Sequence, residues 1–234
     1  MTPLPVDADL WILQYPLRML GAPIGRTVTI LRLPSSGKLV IHSTAPFSPE
    51  DVAAIGELGE PGWLLDVTNI HDTHAKEGRA AFPGIPYLAP EGFSEAAGVT
   101  TQPLGAPPAE WGDEVQVLEL AGKAEMAREY VVFHRPSRTA VVADLAFHVT
   151  EDAPAGLRLY ASVVLKGGGS HDTAMPVPQK WAARDKEAFE RSLERMMAWD
   201  FERVITGHGD VPVTTKAALA GALRVAGFLN GGAA

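Results

Sequence analysis

The chain of 234 residues is 46% apolar and 21% charged, with 28 acidic side chains against 20 basic ones and a net charge of −8. That length and balance suit one large globular domain over residues 1–234 whose core needs no disulfide or structural metal, and the scattered Lys and Arg argue against a nucleic-acid partner. With no cysteine in the chain, disulfides and thiolate sites are excluded, so any metal falls to His, Asp and Glu, a set that suits zinc, iron or manganese.

No apolar stretch is long enough to span a bilayer. The opening MTPLPVDADLW has no basic start and no long apolar run, so no secretory leader is read and a cytoplasmic location is expected. Residues 9–44 read as strands: RTVTILRL and KLVIHST alternate and flank the turn PSSG, as a hairpin does. FSPEDVAAIGELG has the marks of a helix start, with Ser48 as N-cap, Pro49 at the first position and Glu50 and Asp51 in the first turn; Gly56 or Gly59 ends it. GWLLDVT (62–68) is a continuous apolar run suited to a strand buried on both faces. A short helix from His71 to Ala81 and a short strand in IPYLAP complete a β-α-β-α-β rhythm over 39–90.

The second half opens on strands again. EVQVLEL (114–120) alternates, and EYVVFHRPSRTAVVADLAF (129–147) is two β-rich runs joined at RPSR, a hairpin signal. AGLRLYASVVL (155–165) reads as helix in preference to strand, and GGGSHDTAMPVPQ as a loop. ARDKEAFERSLERMMAWD is helical, with Phe189, Leu193, Met196 and Met197 on one face. FERVITGHGD is a strand entering a Gly-bounded turn, and TTKAALAGALRVAGFL a terminal helix. Two successive β-then-α halves predict an αββα sandwich, two sheets packed face to face with helices outside.

Three strand ends carry ligand-type residues: Asn69, His71, Asp72 and His74 after WLLDVT; Asp144 after TAVVA; and His208, between Gly207 and Gly209, after RVIT. Strand ends along one edge converge, so these groups can meet. Each also has a plain structural reading. Asn69 suits an N-cap and Asp72 a first helical turn, with the histidines merely hydrogen-bonded. Asp144 suits a strand-end turn and His208 a satisfied loop. His42 reads as structural, or at most as a neighbour of the site. His134 lies too far along its hairpin, His148 and His171 read as loop residues, and Trp63, Trp181 and Trp199 as packing.

The order strand, HxHxDH-like segment, helix, hairpin ending in Asp, and strand ending in His resembles the metallo-β-lactamase superfamily over nearly the whole chain. TNIHDTHAKEGRAAFPGIPYLAP (68–90) is similar to its THxHxDH motif and the strand that follows, VVADLAF to its GDxLF segment, and VITGHGD to its closing GHG; the altered motifs resemble a bacterial branch with a degenerate HxHxDH. The resemblance implies metal ligands at His71, His74, Asp144 and His208. Asn69 replaces the first His of the motif and Thr73 its Asp. The third-motif His would fall near 125–129, where the sequence offers Glu125 and Glu129. One metal position would keep His71 and Asp144, the other His74, Asp144 and His208, which points to one divalent ion. Asp144 and Thr73 would then be the catalytic positions, although Thr73 cannot take up a proton at neutral pH. The function so implied is hydrolysis of an ester, lactone, thioester or phosphoester, preferably of a small anionic molecule. The alternative is a non-catalytic small-molecule-binding or interaction protein that keeps the fold and has lost the metal chemistry.

Overall fold

The computed structural model describes residues 1–165 and 173–229. Seven strands form the first sheet, lying side by side in chain order: β1 (Leu4–Asp7), β2 (Leu10–Tyr15), β3 (Arg26–Arg32), β4 (Lys38–His42), β5 (Glu60–Leu65), β6 (Tyr87–Ala89) and β7 (Gln102–Pro103). The first four are antiparallel neighbours; β4 to β7 are parallel. A parallel neighbour needs a crossover, and α1 (Pro49–Gly56), α2 (Ala75–Ala81) and α3 (Phe93–Ala97) supply the three. The second sheet is β8 (Val115–Glu119), β9 (Tyr130–His134), β10 (Thr139–Val142), β11 (Arg203–Thr206) and β12 (Val213–Thr215), again in chain order, with only β10 and β11 parallel. Between those two run α4 (Ala155–Val164), α5 (Val177–Ala182) and α6 (Lys186–Met197); α7 (Lys216–Ala226) follows β12.

The period-two alternation of each strand sorts its apolar residues into layers. Leu10, Ile12, Leu31, Val40, Trp63 and Leu65 of the first sheet form one buried cluster with Val115, Tyr130, Val132, Val141 and Ile205 of the second. The intervening Leu13, Val28, Ile30, Ile41 and Leu64 face Ile55 of α1, Ala75 of α2 and Phe93 and Ala97 of α3. On the far side, Val131, Phe133, Ala140 and Val204 pack under Phe189, Leu193 and Met196 of α6 and Leu219 and Leu223 of α7. These clusters are the three interfaces of an αββα sandwich, as expected from the two β-then-α halves.

Helix ends follow local capping rules, the expected Ser48 cap among them. Ser48 and Asp51 form a reciprocal capping box at α1, Asp185 and Thr215 cap α6 and α7, and the left-handed Gly227 closes α7. The expected loop of 167–179 is corrected where it is described. Thr173–Ala174 pairs with Phe147–His148, and α5 begins at Val177 with a proline in its first turn. Proline costs no hydrogen bond there, because the first helical N–H groups have no partner in any case. The five-residue α3, set between left-handed Gly92 and Gly98, is too short for sequence periodicity to register. Trp181, expected to pack, is 72% exposed, whereas the buried Trp63 meets Trp111 edge-on at 5.9 Å. No helix among the described residues is long and apolar enough to cross a membrane.

Candidate metal centre

The first sheet supplies His71. After β5 the chain stays extended to Thr68, which bridges to Glu129, then turns into a 3-10 segment, Asp72–His74, ahead of α2. Arg26 fixes this turn from below: Nη2 donates to the His71 carbonyl at 3.0 Å and to Asp66 Oδ1 at 3.3 Å, and Nε donates to the Thr44 carbonyl at 3.0 Å. A buried carboxylate is costly unless fully bonded. Asp66 also accepts from Ser43 at 2.7 Å, Thr44 at 2.9 Å and Tyr87 at 2.6 Å, so the buried Arg26–Asp66 pair makes a satisfied floor.

The second sheet supplies Asp144 and His208 from the ends of its parallel pair. Where β10 leaves the ladder, Glu129 Oε1 accepts the N–H groups of Asp144 and Leu145, each at 2.9 Å. His208 follows β11 between two glycines that bring main chain to main chain. A Cβ on Gly207 would lie 2.9 Å from the Ala143 carbonyl oxygen. On Gly209, at φ +129°, it would lie 1.8 Å from that of His148. The glycines therefore serve the approach of the backbone more than that of the imidazole.

The three side chains meet at one point. His71 Nε2 lies 3.2 Å from Asp144 Oδ2, His208 Nε2 lies 3.5 Å from Asp144 Oδ1, and the two Nε2 atoms are 3.1 Å apart. Among the described residues this is the only group of three or more His, Asp or Glu ligand atoms lying within 4.8 Å of one another. The donor chemistry suits a cation. His208 Nδ1 is 2.6 Å from the Gly25 carbonyl; only an N–H can bond there, which leaves Nε2 with its lone pair toward the centre. Asp144 Oδ2 is buried and lacks an aligned hydrogen bond, as does His71 Nδ1. Burial works to raise the Asp144 carboxyl, but the His71 and His208 imidazoles beside it hold it well below the usual carboxylate range. Burial, then the Arg26 charge, lowers His71. The ionised form of Asp144 and the neutral form that burial favours at His71 are the ligand forms of these groups.

The remaining sequence candidates lie elsewhere. His74 stands outside the cluster, turned by the 3-10 segment toward the first turn of α2, where its Nδ1 is 3.9 Å from Glu77. Thr73 is exposed in a surface pocket of about 290 Å³ with Asp72, Lys76 and Glu77. Asn69 is no helix cap: its amide donates to the carbonyls of Glu91 and Glu125, each at 3.0 Å, and it borders an open groove of about 500 Å³ with Ile70, Asp72 and Met126. Glu125 is exposed, and both oxygens of Glu129 are bonded away from the centre. His134 is satisfied by Ser137 and the Arg32 carbonyl. His148 accompanies the His208 turn, with Nδ1 2.8 Å from the Val211 carbonyl. His171 lies outside the described residues. Arg26 and Asp66 went unread in the sequence, although a charge inside an apolar run, as in WLLDVT, is itself a signal of a buried network.

Neither a protein-family model nor a curated protein sequence matches the chain. Solved structures do. A metallo-β-lactamase from Pontibacter korlensis superimposes with a TM-score of 0.61 at 14% identity, covering 96% of this chain and 98% of that one. The DIM-1 metallo-β-lactamase exposed to ceftazidime gives 0.63 at 14%, over 96% and 95%. TMB-1 gives 0.61 at 12%, over 96% of each. The chain has the metallo-β-lactamase fold. At such identities the likeness speaks for architecture, and the chemistry of this metallo-β-lactamase-fold chain rests on its own three side chains.

Proposed function

We propose that the protein is a metal-dependent hydrolase with a single divalent ion held by His71, Asp144 and His208, acting on an ester, lactone, thioester or phosphoester of a small anionic molecule. One observation carries this reading: two imidazole nitrogens and a carboxylate oxygen converge on one buried point, with the tautomer of His208 set by the Gly25 carbonyl. Of the four ligands expected from the sequence, His71, Asp144 and His208 converge and His74 stands apart. Two histidines and one carboxylate form a familiar catalytic set that leaves a coordination position open. Zinc, iron or manganese would supply Lewis acidity there, toward an attacking water and toward the scissile oxygen.

The residues present do the rest. Asp144 stays ionised and supplies one negative charge against two on the ion, so the centre keeps a net positive charge that attracts an anionic group. His71 and His208 contribute neutral lone pairs. Among the described residues no further His, Asp or Glu joins the three side chains, so proton removal falls to Asp144 or to solvent. That absence, with Asn69 and Thr73 directed elsewhere, favours the second reading, a binding protein that has kept the pocket without turnover. Zinc titration followed by a screen of ester, lactone, thioester and phosphoester substrates separates the two. Zinc-dependent turnover lost in Asp144→Asn supports the hydrolase. Stoichiometric zinc with no turnover supports the binding protein, and no zinc uptake removes the metal from both.

A further inference from the structure

A buried ion pair lies behind the centre, between Lys123 and Glu129, the latter in the 125–129 stretch where the resemblance placed a third metal-binding histidine. Lys123 Nζ lies 2.5 Å from Glu129 Oε2 and 2.6 Å from Gln179 Oε1. The side chains of Lys123 and Glu129 are 1% and 0% exposed. A pair so buried returns little net stability, since desolvation offsets most of its attraction. Its geometry indicates another use. Glu129 Oε1 receives two consecutive N–H groups, those of Asp144 and Leu145, just where β10 has run out of strand partners. With both oxygens engaged, Glu129 can neither rotate toward the centre nor release the turn. Lys123 cancels its charge, so the carboxylate does not add a second uncompensated negative group behind Asp144. Gln179 extends the chain of contacts to α5.

We infer that Glu129 is a positioning residue, clamped by Lys123 and Gln179, that fixes the backbone of Asp144 so that its carboxylate meets His71 and His208. The inference rests on the metal reading above for its consequence, but the clamp itself is a property of the protein alone. Outer partners of this kind are worth about 10–100-fold in metal affinity.

The test uses Glu129→Leu, which removes the acceptor, and the double variant Glu129→Gln with Lys123→Met, which keeps an uncharged acceptor for the two N–H groups. Zinc affinity is read by competition with a chromophoric chelator, and hydrogen exchange is followed at Asp144 and Leu145 in metal-free protein. The expected result is a loss of about 10–100-fold in zinc affinity for Glu129→Leu, partly restored in the double variant. Exchange at the two amides should accelerate in the same order, while β9 and the body of β10 keep their protection. If Glu129→Leu fails to fold because Lys123 is left buried without its partner, Glu129→Leu with Lys123→Met decides: faster exchange at Asp144 and Leu145 supports the clamp, and exchange equal to wild type overturns it. If wild type takes up no zinc, the metal reading falls and the exchange data still decide. Wild-type affinity with wild-type exchange in Glu129→Leu would overturn the inference.

Discussion

His208 is constrained at both ring nitrogens, Nδ1 by the Gly25 carbonyl and Nε2 by the centre it shares with His71 and Asp144. In a metal site His208→Ala leaves two ligands, and a bound ion stabilises only the folded state, by about 2.7 kcal/mol at a hundredfold excess over its dissociation constant. Zinc should therefore raise the melting temperature of wild type and leave that of His208→Ala unmoved; equal shifts in both would count against His208 as a ligand. His42 gives a separate signal. Burial pushes its imidazole down to about 3, so between roughly pH 6.5 and 3 the unfolded chain binds a proton that the folded chain refuses. The associated stability is complete above the unfolded value and drains as pH falls toward the folded one. His71, lowered mainly by burial, acts in the same direction, and so does Asp144, whose contribution is lost only at lower pH, below the ordinary carboxylate value. Urea unfolding from pH 7.5 to 5 should show this decline in wild type, and His42→Leu should flatten it by about 1.4 kcal/mol per pH unit below 6.5. Parallel curves would assign the decline to other groups.

Strand ends place the three converging side chains, and the turns after them aim each one. Gly209, with φ at +129° and the His148 carbonyl where a Cβ would sit, makes the His208 turn dependent on glycine. Gly209→Ala should lose more than the about 1 kcal/mol of an ordinary substitution and should weaken zinc binding too, readable by denaturation and competition; retention of both would show that the turn can shift. At α1, Ser48→Ala removes one half of the capping box and should cost about 0.5–2 kcal/mol in chemical denaturation without changing zinc affinity. The cap, the period-two strands and the glycine-bracketed histidine were legible because their signals are local. So was the placement of His71, Asp144 and His208 at strand ends. The parting of His74 from the other three was not, because it depends on a 3-10 turn held by Arg26, forty-five residues from His71 in sequence. The clamp by Glu129 was equally hidden: a lone glutamate before an apolar strand does not announce which backbone groups from the next strand it will meet.

The two sheets bury one shared apolar layer, and the centre sits where strands from both sheets end, so assembly of the site depends on their packing. Leu65 is fully buried in that layer at the end of β5. Leu65→Ala should cost about 2–5 kcal/mol and loosen His71 relative to Asp144; a stability loss with undiminished zinc affinity would show that the site holds its form independently of the layer. The architecture was readable from the order of strands and helices, because each β-then-α half can bury its faces in few ways. The short α3 and α5 were not, being fixed by tertiary packing and not by periodicity. Elemental analysis of protein purified without a metal-affinity tag and then equilibrated with zinc tests the central claim most directly. The account predicts about one divalent ion per chain, abolished in Asp144→Asn. Two ions per chain, or none, or one ion that survives the loss of the Asp144 carboxylate would contradict it.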